Sequence, residues 1–219
     1  MNLNKNFVYM GIFFILFIAW TIAIQFIDVQ AIGPFNSTVG FATLNGFFHQ
    51  LTGTHMVLYL ITDWLGLVPV FIMFGFAILG LVQLIKRRSL FKVDKDILFL
   101  GVFYFILFAA YLLFEMFAIN YRPVLIDGFL EASYPSSTTL LVLCVMPTAI
   151  MQFNGRISNQ KAKDVIKYSF IIFSVFMVVG RLISGVHWLS DIIGGILLSA
   201  GLVMFYYSFD QCLNSKTRK

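Results

Sequence analysis

A short segment near the C-terminal end of the chain carries residue types that suit phosphate chemistry. Arg181, His187 and Asp191 lie between two long apolar runs. His187 and Asp191 are four residues apart, and a helix would place them on one face, one turn apart. A carboxylate in that position accepts the imidazole N–H, fixes the tautomer and leaves the other nitrogen free as a nucleophile or base. Arg181 adds a planar guanidinium that suits an oxyanion such as phosphate.

A second segment combines hydroxyl groups with a predicted helix start. Pro135 suits the first turn of a helix, and Ser136, Ser137 and Thr138 follow it. Hydroxyls and free backbone N–H groups at a helix N-terminus form an anion site, whereas simple N-capping by serine is the alternative. Because Arg122 lies in the same loop and Arg181 in the next outer loop, the sequence favours the anion site.

The composition identifies an integral membrane protein. Of the 219 residues, 60% are hydrophobic and 11% are charged, whereas soluble domains are nearer half apolar and a quarter charged. The net charge of +5 does not indicate a nucleic-acid partner, because the basic residues are dispersed. Cys144 and Cys212 form neither a disulfide framework nor a metal-ligand pattern. We expect no metal and no other cofactor.

Six apolar runs are long enough to cross a membrane, at about 20 residues per crossing. They cover residues 7–27, 57–85, 97–119, 139–153, 166–186 and 188–209. The fourth run is short unless its helix begins inside the preceding Ser/Thr segment. No internal repeat or linker is evident. The sequence predicts an all-α polytopic membrane protein with six transmembrane helices and a single domain over residues 1–219.

The basic residues predict how the chain is oriented. Six crossings place thirteen of the fifteen on one side of the membrane. They are Lys5, Lys86, Arg87, Arg88, Lys92, Lys95, Arg156, Lys161, Lys163, Lys167, Lys216, Arg218 and Lys219. The positive-inside rule makes that side, with both termini, cytoplasmic. Arg122 and Arg181 are the two exceptions, so the candidate site is predicted to lie on the extracytoplasmic face.

The first outer segment, residues 28–56, contains apolar residues at helical spacing. They are Phe41, Leu44, Phe47, Phe48 and Leu51. We predict a short helix at the outer interface that serves as a lid, as a ramp for lipids or as a plug in the bundle. His49 and His55 are interpreted as interfacial polar residues. Asp63, in the second apolar run, is either a functional carboxylate or the partner of an arginine or tryptophan N–H.

The order of these residues resembles the three motifs of the type 2 phosphatidic acid phosphatase (PAP2) superfamily, which also includes vanadium haloperoxidases. The first motif is Lys, six residues, Arg-Pro, and the second is Pro-Ser-Gly-His. The third is Ser-Arg, five residues, His, three residues, Asp. The matching residues are Arg122-Pro123, then Pro135-Ser136, then Arg181, His187 and Asp191, with Gly180 in place of the serine. Motif order and six-helix topology extend the resemblance over nearly the whole chain.

The resemblance implies a PAP2-like helical bundle and a bacterial membrane lipid phosphatase. His187 would be the nucleophile that forms a phosphohistidine, Asp191 would orient it, and Arg122, Ser136 and Arg181 would hold the phosphate. The candidate substrates are undecaprenyl pyrophosphate, phosphatidylglycerol phosphate and phosphatidic acid, hydrolysed at the outer face of a plasma membrane. Arginines and helix dipoles would supply the positive charge without a metal.

Two positions depart from the family motifs. Glu115 stands where the family has lysine; it repels the substrate if it points inward, orients Arg122 or Arg181, or turns away. Thr138 stands where the family has a histidine that protonates the leaving oxygen. Threonine is no acid near neutral pH, and general acid catalysis supplies about 100- to 10,000-fold.

These departures leave two hypotheses open. A pyrophosphate leaving group needs the proton less than an alkoxide does, which favours a lipid pyrophosphate; another acid could also replace the histidine, such as Glu115, Glu131, Asp127 or a loop histidine. The alternative is a catalytically degenerate protein that binds phospholipid head groups or a membrane partner. The retained pair of His187 and Asp191 opposes it, because a binding protein needs no oriented nucleophile.

Overall fold

The computed structural model describes residues 3–217 of the chain, with the side chains of residues 5–212. Within this range it contains eight α-helices and no strand. The helices are α1 (Leu3–Phe26), α2 (Ala42–Thr52), α3 (Met56–Leu65), α4 (Leu67–Arg87), α5 (Lys95–Met116), α6 (Ser137–Arg156), α7 (Gln160–Ile183) and α8 (Leu189–Thr217). Arg218, Lys219 and the side chain of Lys216 lie outside the described residues.

Six stretches of helix are long and apolar enough to cross a membrane, which confirms the all-α polytopic class. The second is Met56–Arg87, made of α3 and α4, which meet at Gly66. The fourth, α6, begins at Ser137, inside the Ser/Thr segment. Large apolar side chains such as Ile15, Phe71 and Phe105 are exposed around the bundle, and lipid tails are as apolar as they are.

The fourth and sixth spans are the most buried, so α6 and α8 form the centre of the bundle. Helix α1 packs along α8, and α6 packs between α7 and α8. Two polar side chains inside this centre are hydrogen-bonded: the hydroxyl of Thr148 donates to the carbonyl of Cys144 at 2.8 Å, and the amide of Gln152 donates to the hydroxyl of Tyr206 at 2.5 Å. This packing brings the N-termini of α6 and α8 to the same end of the bundle.

The predicted short outer helix is present as α2. Its buried Asn45 exchanges two hydrogen bonds with Ser190 at the start of α8: the Asn45 amide donates to Ser190 Oγ at 2.9 Å, and the Ser190 N–H donates to Asn45 Oδ1 at 3.1 Å. Phe47 and Leu51 are exposed on this helix. Helix α2 is therefore fastened to the start of α8 while part of its apolar surface stays uncovered.

The turn between α7 and α8 depends on a glycine. Gly185 has a φ of +68°, and a Cβ there would lie 1.9 Å from the carbonyl oxygen of Gly53. A larger residue is therefore excluded both by the backbone conformation and by space. The carbonyl of Ser184 in the same turn accepts the N–H of His55 at 2.9 Å, which joins the turn to the start of α3.

Candidate active site

His187 lies in this turn, just before α8, and not on a helix as the four-residue spacing predicted. Its Nδ1 is 3.2 Å from the carbonyl oxygen of Ser133 and 3.0 Å from the Ser133 hydroxyl. A carbonyl oxygen only accepts, so Nδ1 carries the hydrogen and Nε2 carries the lone pair. Nε2 is buried and has no hydrogen-bond partner among the described residues. The arrangement leaves one imidazole nitrogen available as a nucleophile.

Ser133 stands between His187 and Asp191. The Ser133 hydroxyl donates to Asp191 Oδ2 at 2.5 Å, while His187 Nδ1 is 3.9 Å from the same oxygen. The second distance is too long for a hydrogen bond. The direct bond expected from the sequence is thus replaced by a serine bridge, because the turn after α7 places His187 off the helix that carries Asp191.

Asp191 is fully buried and accepts further hydrogen bonds in the first turn of α8. The backbone N–H of Trp188 donates to Oδ2 at 2.9 Å, and the Asn120 amide donates to Oδ1 at 3.3 Å. A buried charge is stable only when it is paired or hydrogen-bonded. These donors hold the carboxylate in a fixed position.

Two buried arginines lie beside the histidine. The guanidinium carbons of Arg181 and Arg122 are 5.0 Å and 5.9 Å from the ring centre of Tyr59, so one aromatic ring contacts both cations. Arg181 Nη1 is 3.5 Å from Asp63 Oδ1, and Arg122 Nε is 3.1 Å from Glu131 Oε2. The pairing of Asp63 with an arginine is the structural alternative left open by the sequence.

These ion pairs leave donors unused. Arg122 Nη1 and Arg181 Nε are buried without a hydrogen-bond acceptor in the described structure, and the ion-pairing Arg122 Nε and Arg181 Nη1 face their carboxylates without hydrogen-bond geometry. Buried N–H groups without a protein acceptor are rare in folded proteins, so these donors are suited to a ligand. A phosphate, with its several oxygens, suits two such guanidinium groups.

The electrostatic surroundings keep His187 neutral. Burial, followed by the positive charges of Arg122 and Arg181, lowers the pKa of His187 well below its ordinary value, against the opposing effect of the Ser133 carbonyl. A neutral imidazole with its hydrogen on Nδ1 has a lone pair on Nε2 at neutral pH.

The hydroxyl-rich helix start differs from the prediction in one respect. Ser136 is the N-cap of α6, so Pro135 precedes the helix and does not lie in its first turn. Ser136 makes no side-chain capping bond, and its buried Oγ has no partner among the described residues. Simple capping therefore does not account for this hydroxyl, which is free to donate to an anion at the helix N-terminus.

Two cavities adjoin the site. A narrow one of about 10 Å³, with room for about one water, has Glu115, Ser133, Ser137 and His187 in its walls. Another, of about 450 Å³, is lined by Ser137, Thr138, Asp63 and apolar residues. Glu115 forms no ion pair with Arg122 or Arg181 in the described structure. The structure thus places Glu115 in the wall of the cavity that includes His187, and Thr138 in the wall of the larger cavity.

Sequence reasoning missed Ser133, Asn120 and Tyr59, each of which lies outside the quoted motifs. The signal for Ser133 was its position two residues before Pro135 in the hydroxyl-rich segment. The outer histidines have other neighbours: the His49 ring lies edge-on to Trp188 at 5.5 Å, and His55 Nε2 is 2.9 Å from the carbonyl oxygen of Thr52.

Comparison with known proteins gives a family and a fold. The family model described as PAP2 superfamily matches residues 102–214, more than half of the chain. A crystal structure of the first transmembrane PAP2 type phosphatidylglycerolphosphate phosphatase from Bacillus subtilis superposes with a TM-score of 0.67 at 16% identity. The match covers 93% of this chain and 96% of that chain, so the two share their fold. None of the curated protein sequences matches the chain.

Proposed function

Because the chain belongs to the PAP2 superfamily, we propose that it is a membrane lipid phosphatase that works through a phosphohistidine at His187. One observation carries this proposal: the unprotonated, unpartnered Nε2 of His187 lies near two buried arginines, each of which has a guanidinium nitrogen without an acceptor (Arg122 Nη1 and Arg181 Nε). The structural neighbour supports the class of activity, since it is described as a phosphatidylglycerolphosphate phosphatase.

In the first step, Nε2 of His187 attacks the terminal phosphorus and the bond from phosphorus to the leaving oxygen breaks. Arg122 and Arg181 donate to the equatorial oxygens, whose charge must be held in line with the attacking nitrogen. The Ser136 hydroxyl supplies a further donor. The imidazole becomes cationic, and Asp191 stabilises that charge through the Ser133 bridge.

In the second step, water attacks the phosphohistidine and the bond from nitrogen to phosphorus breaks. Inorganic phosphate leaves, a proton passes to solvent, and the neutral imidazole returns. The sequence has no histidine at position 138 to protonate the first leaving group. A lipid pyrophosphate releases a lipid phosphate, which needs a proton less than an alkoxide does. We therefore place undecaprenyl pyrophosphate ahead of phosphatidylglycerol phosphate and phosphatidic acid.

The site is proposed to face the extracytoplasmic side. Among residues 3–217, eleven of the thirteen basic residues fall at the end of the bundle opposite to His187. The positive-inside rule assigns that end and both termini to the cytoplasm. Phe129, in the loop that carries Arg122, is 72% exposed, so Phe129→Cys should react with an externally added, impermeant thiol reagent; reaction only after permeabilisation contradicts this orientation.

The competing function is head-group binding without turnover. Glu115 in the wall beside His187 and Thr138 at the helix start favour it. The contact of His187 Nδ1 with the Ser133 carbonyl opposes it, because a binding site gains nothing from a tautomer fixed with Nε2 unprotonated.

Phosphate release from lipid phosphates separates these functions. The purified chain in detergent, with a metal chelator present, is given the three candidate lipids. We expect release by the wild type and none by His187→Ala. Equal inertness of both proteins across the panel, with retained lipid binding, supports the binding function instead.

A further inference from the structure

An apolar cleft runs between α4 and α5. The cavity of about 450 Å³, which reaches Asp63 and Ser137, shares Val70 and Met73 with a second cavity of about 530 Å³. The second cavity ends at Leu84 of α4 and at loop residues before α5. The two cavities together extend from Asp63 to Leu84. At about 1.5 Å per helical residue this cleft is about 30 Å long, which equals the hydrocarbon thickness of a bilayer. It therefore joins the active-site end of the bundle to the opposite membrane surface.

The loop at the far end of this cleft, residues 88–94, has its acidic charge neutralised. Asp94 accepts hydrogen bonds from Arg87 at 2.6 Å and from Gln83 at 2.8 Å. The hydrogen bond from Arg87 is the main reason why the pKa of Asp94 is lowered. Asp96, at the start of α5, is paired with Arg156 at 2.7 Å.

Four basic residues at this end remain uncompensated. Lys86, Arg88, Lys92 and Lys95 are exposed and have no acidic partner within 4.0 Å among the described residues. Arg88 and Lys92 flank Leu90, which together with Val93 lines the end of the cleft. Positive charge and an apolar channel therefore meet at one place.

The same loop carries an apolar anchor. Phe91 is 94% exposed, the largest exposure among the large hydrophobic residues described. An aromatic ring in that position, next to basic residues, is typical of a segment that sits in the interfacial layer of a membrane. The loop thus lies at the depth of phospholipid head groups.

We propose that the cavity of about 530 Å³, which forms the cytoplasmic half of this cleft, binds one anionic phospholipid of the cytoplasmic leaflet. An acyl chain occupies the channel between α4 and α5, and the head-group phosphate lies at Arg88 and Lys92. This inference uses the proposed membrane orientation, but it does not depend on catalysis by His187. A neutral zwitterionic lipid fits the channel equally well but leaves the charge of the loop uncompensated.

The bundle offers a matched comparison. A cavity of about 520 Å³ lies between α6 and α7, and its lining residues stop at Ile150 and Phe170. Lys161 and Lys163 lie on the same membrane side, yet they do not line this cavity. Here the basic residues do not adjoin the cavity. Substitutions at Lys161 and Lys163 therefore measure only the general electrostatic attraction of anionic lipids to this side of the protein.

Native mass spectrometry of the full-length protein, released from detergent with phosphatidylglycerol or phosphatidylcholine, tests the proposal. We expect one phosphatidylglycerol to be retained in preference to phosphatidylcholine. Substituting Arg88→Gln together with Lys92→Gln should lower that preference by about 30-fold, at about fivefold per basic residue. The pair Lys161→Gln and Lys163→Gln should leave it within about twofold.

Two glycine substitutions test the channel. A Cβ at Gly101, which lines the cleft, meets no atom within 4 Å, so the side chain of Gly101→Leu has space to enter the cleft and narrow it. Gly75 has equal space but does not line the cleft. Gly101→Leu should abolish the retained lipid, and Gly75→Leu should not. Equal retention of both lipids by the wild type, or equal losses in the Arg88/Lys92 and Lys161/Lys163 pairs, overturns the proposal.

Discussion

The hydroxyl of Ser133 donates to the carboxylate of Asp191 at 2.5 Å. The same serine contacts the imidazole of His187 at 3.0 Å across 54 residues of sequence. The loop before α6 therefore completes a pair that belongs to the start of α8. The orientation of the His187 imidazole therefore depends on how these two segments pack together.

Replacing Ser133 with alanine should slow the chemical step. The variant removes the donor to Asp191 and one of two contacts of His187 Nδ1, while the Ser133 carbonyl contact stays. A hydrogen bond to a charged group contributes about 1.5–3 kcal/mol, so we expect kcat to fall by about 10- to 100-fold. KM should change little, because the phosphate-binding arginines are untouched. Steady-state kinetics on the preferred lipid phosphate measures both constants.

Ser199→Ala is the matched control. Ser199 is also a buried serine, and its hydroxyl donates to the carbonyl of Ile196 within α8. We expect it to keep wild-type kcat, and Ser133→Thr to recover part of the loss. A merely structural role for Ser133 would lower the melting temperature and leave kcat unchanged.

Substitutions at Arg181 and Asp63 should have unequal effects. Arg181→Lys keeps the charge but loses the planar fork, and we expect kcat/KM to fall by about 100-fold. Asp63 has a side chain that is 53% exposed, and exposed ion pairs contribute about 0–1 kcal/mol, so Asp63→Asn should change kcat/KM by less than about fivefold. Losses of similar size in the two variants would mean that Asp63 takes part in binding or catalysis.

A histidine at position 138 should change the substrate preference. Thr138 lines the cavity of about 450 Å³, so Thr138→His has space for the ring. A leaving-group acid there should raise turnover of phosphatidic acid by about 100-fold or more, and turnover of undecaprenyl pyrophosphate much less. Thr138→Asn is the control without an acid. An unchanged ratio between the two substrates argues that the proton comes from elsewhere.

The neutral state of His187 predicts a pH dependence of stability. Its pKa is lowered well below 6.5 in the folded protein, so the unfolded chain binds the extra proton first. Stability is therefore complete above about pH 6.5 and is lost as the pH falls toward the folded pKa, by up to about 1.4 kcal/mol per pH unit.

Melting temperatures between pH 7.5 and pH 5.5 check this sign. The wild type should lose stability more steeply than His187→Gln, which cannot take up the proton. Burial also lowers the pKa of His49, but that residue is present in both proteins and its contribution cancels. Parallel curves for the two proteins would show that His187 is charged or solvated in the folded state.

Local sequence predicted the spans and the meeting of Arg122, Arg181 and His187, because apolar runs and basic residues are read directly from the chain. It did not predict that α7 ends before His187, at a turn in which Gly185 has a positive φ and lies against the backbone of Gly53, a residue distant in sequence. Nor did it predict the role of Ser133, which is 54 residues from His187 in sequence and contacts it only because the loop before α6 packs against the start of α8.

The departure at Gly180 has a packing explanation that the motif comparison could not supply. A Cβ at this position would lie 2.8 Å from Thr62 Cγ2, so α7 approaches α3 closely there. That approach helps to bring Tyr59 of α3 against Arg181 of α7. Contacts of this kind depend on how two helices that are distant in sequence pack against each other, so they cannot be predicted from the sequence of either helix alone.

Trapping the phosphoenzyme tests the central claim most directly. The wild type is mixed with undecaprenyl pyrophosphate, stopped in alkali and digested, and the phosphorylated peptide is sequenced by mass spectrometry. We predict one phosphate on His187, absent from His187→Ala and accumulating less in Ser133→Ala. Turnover by the wild type without phosphate on His187, or with phosphate on Ser136, would contradict the account.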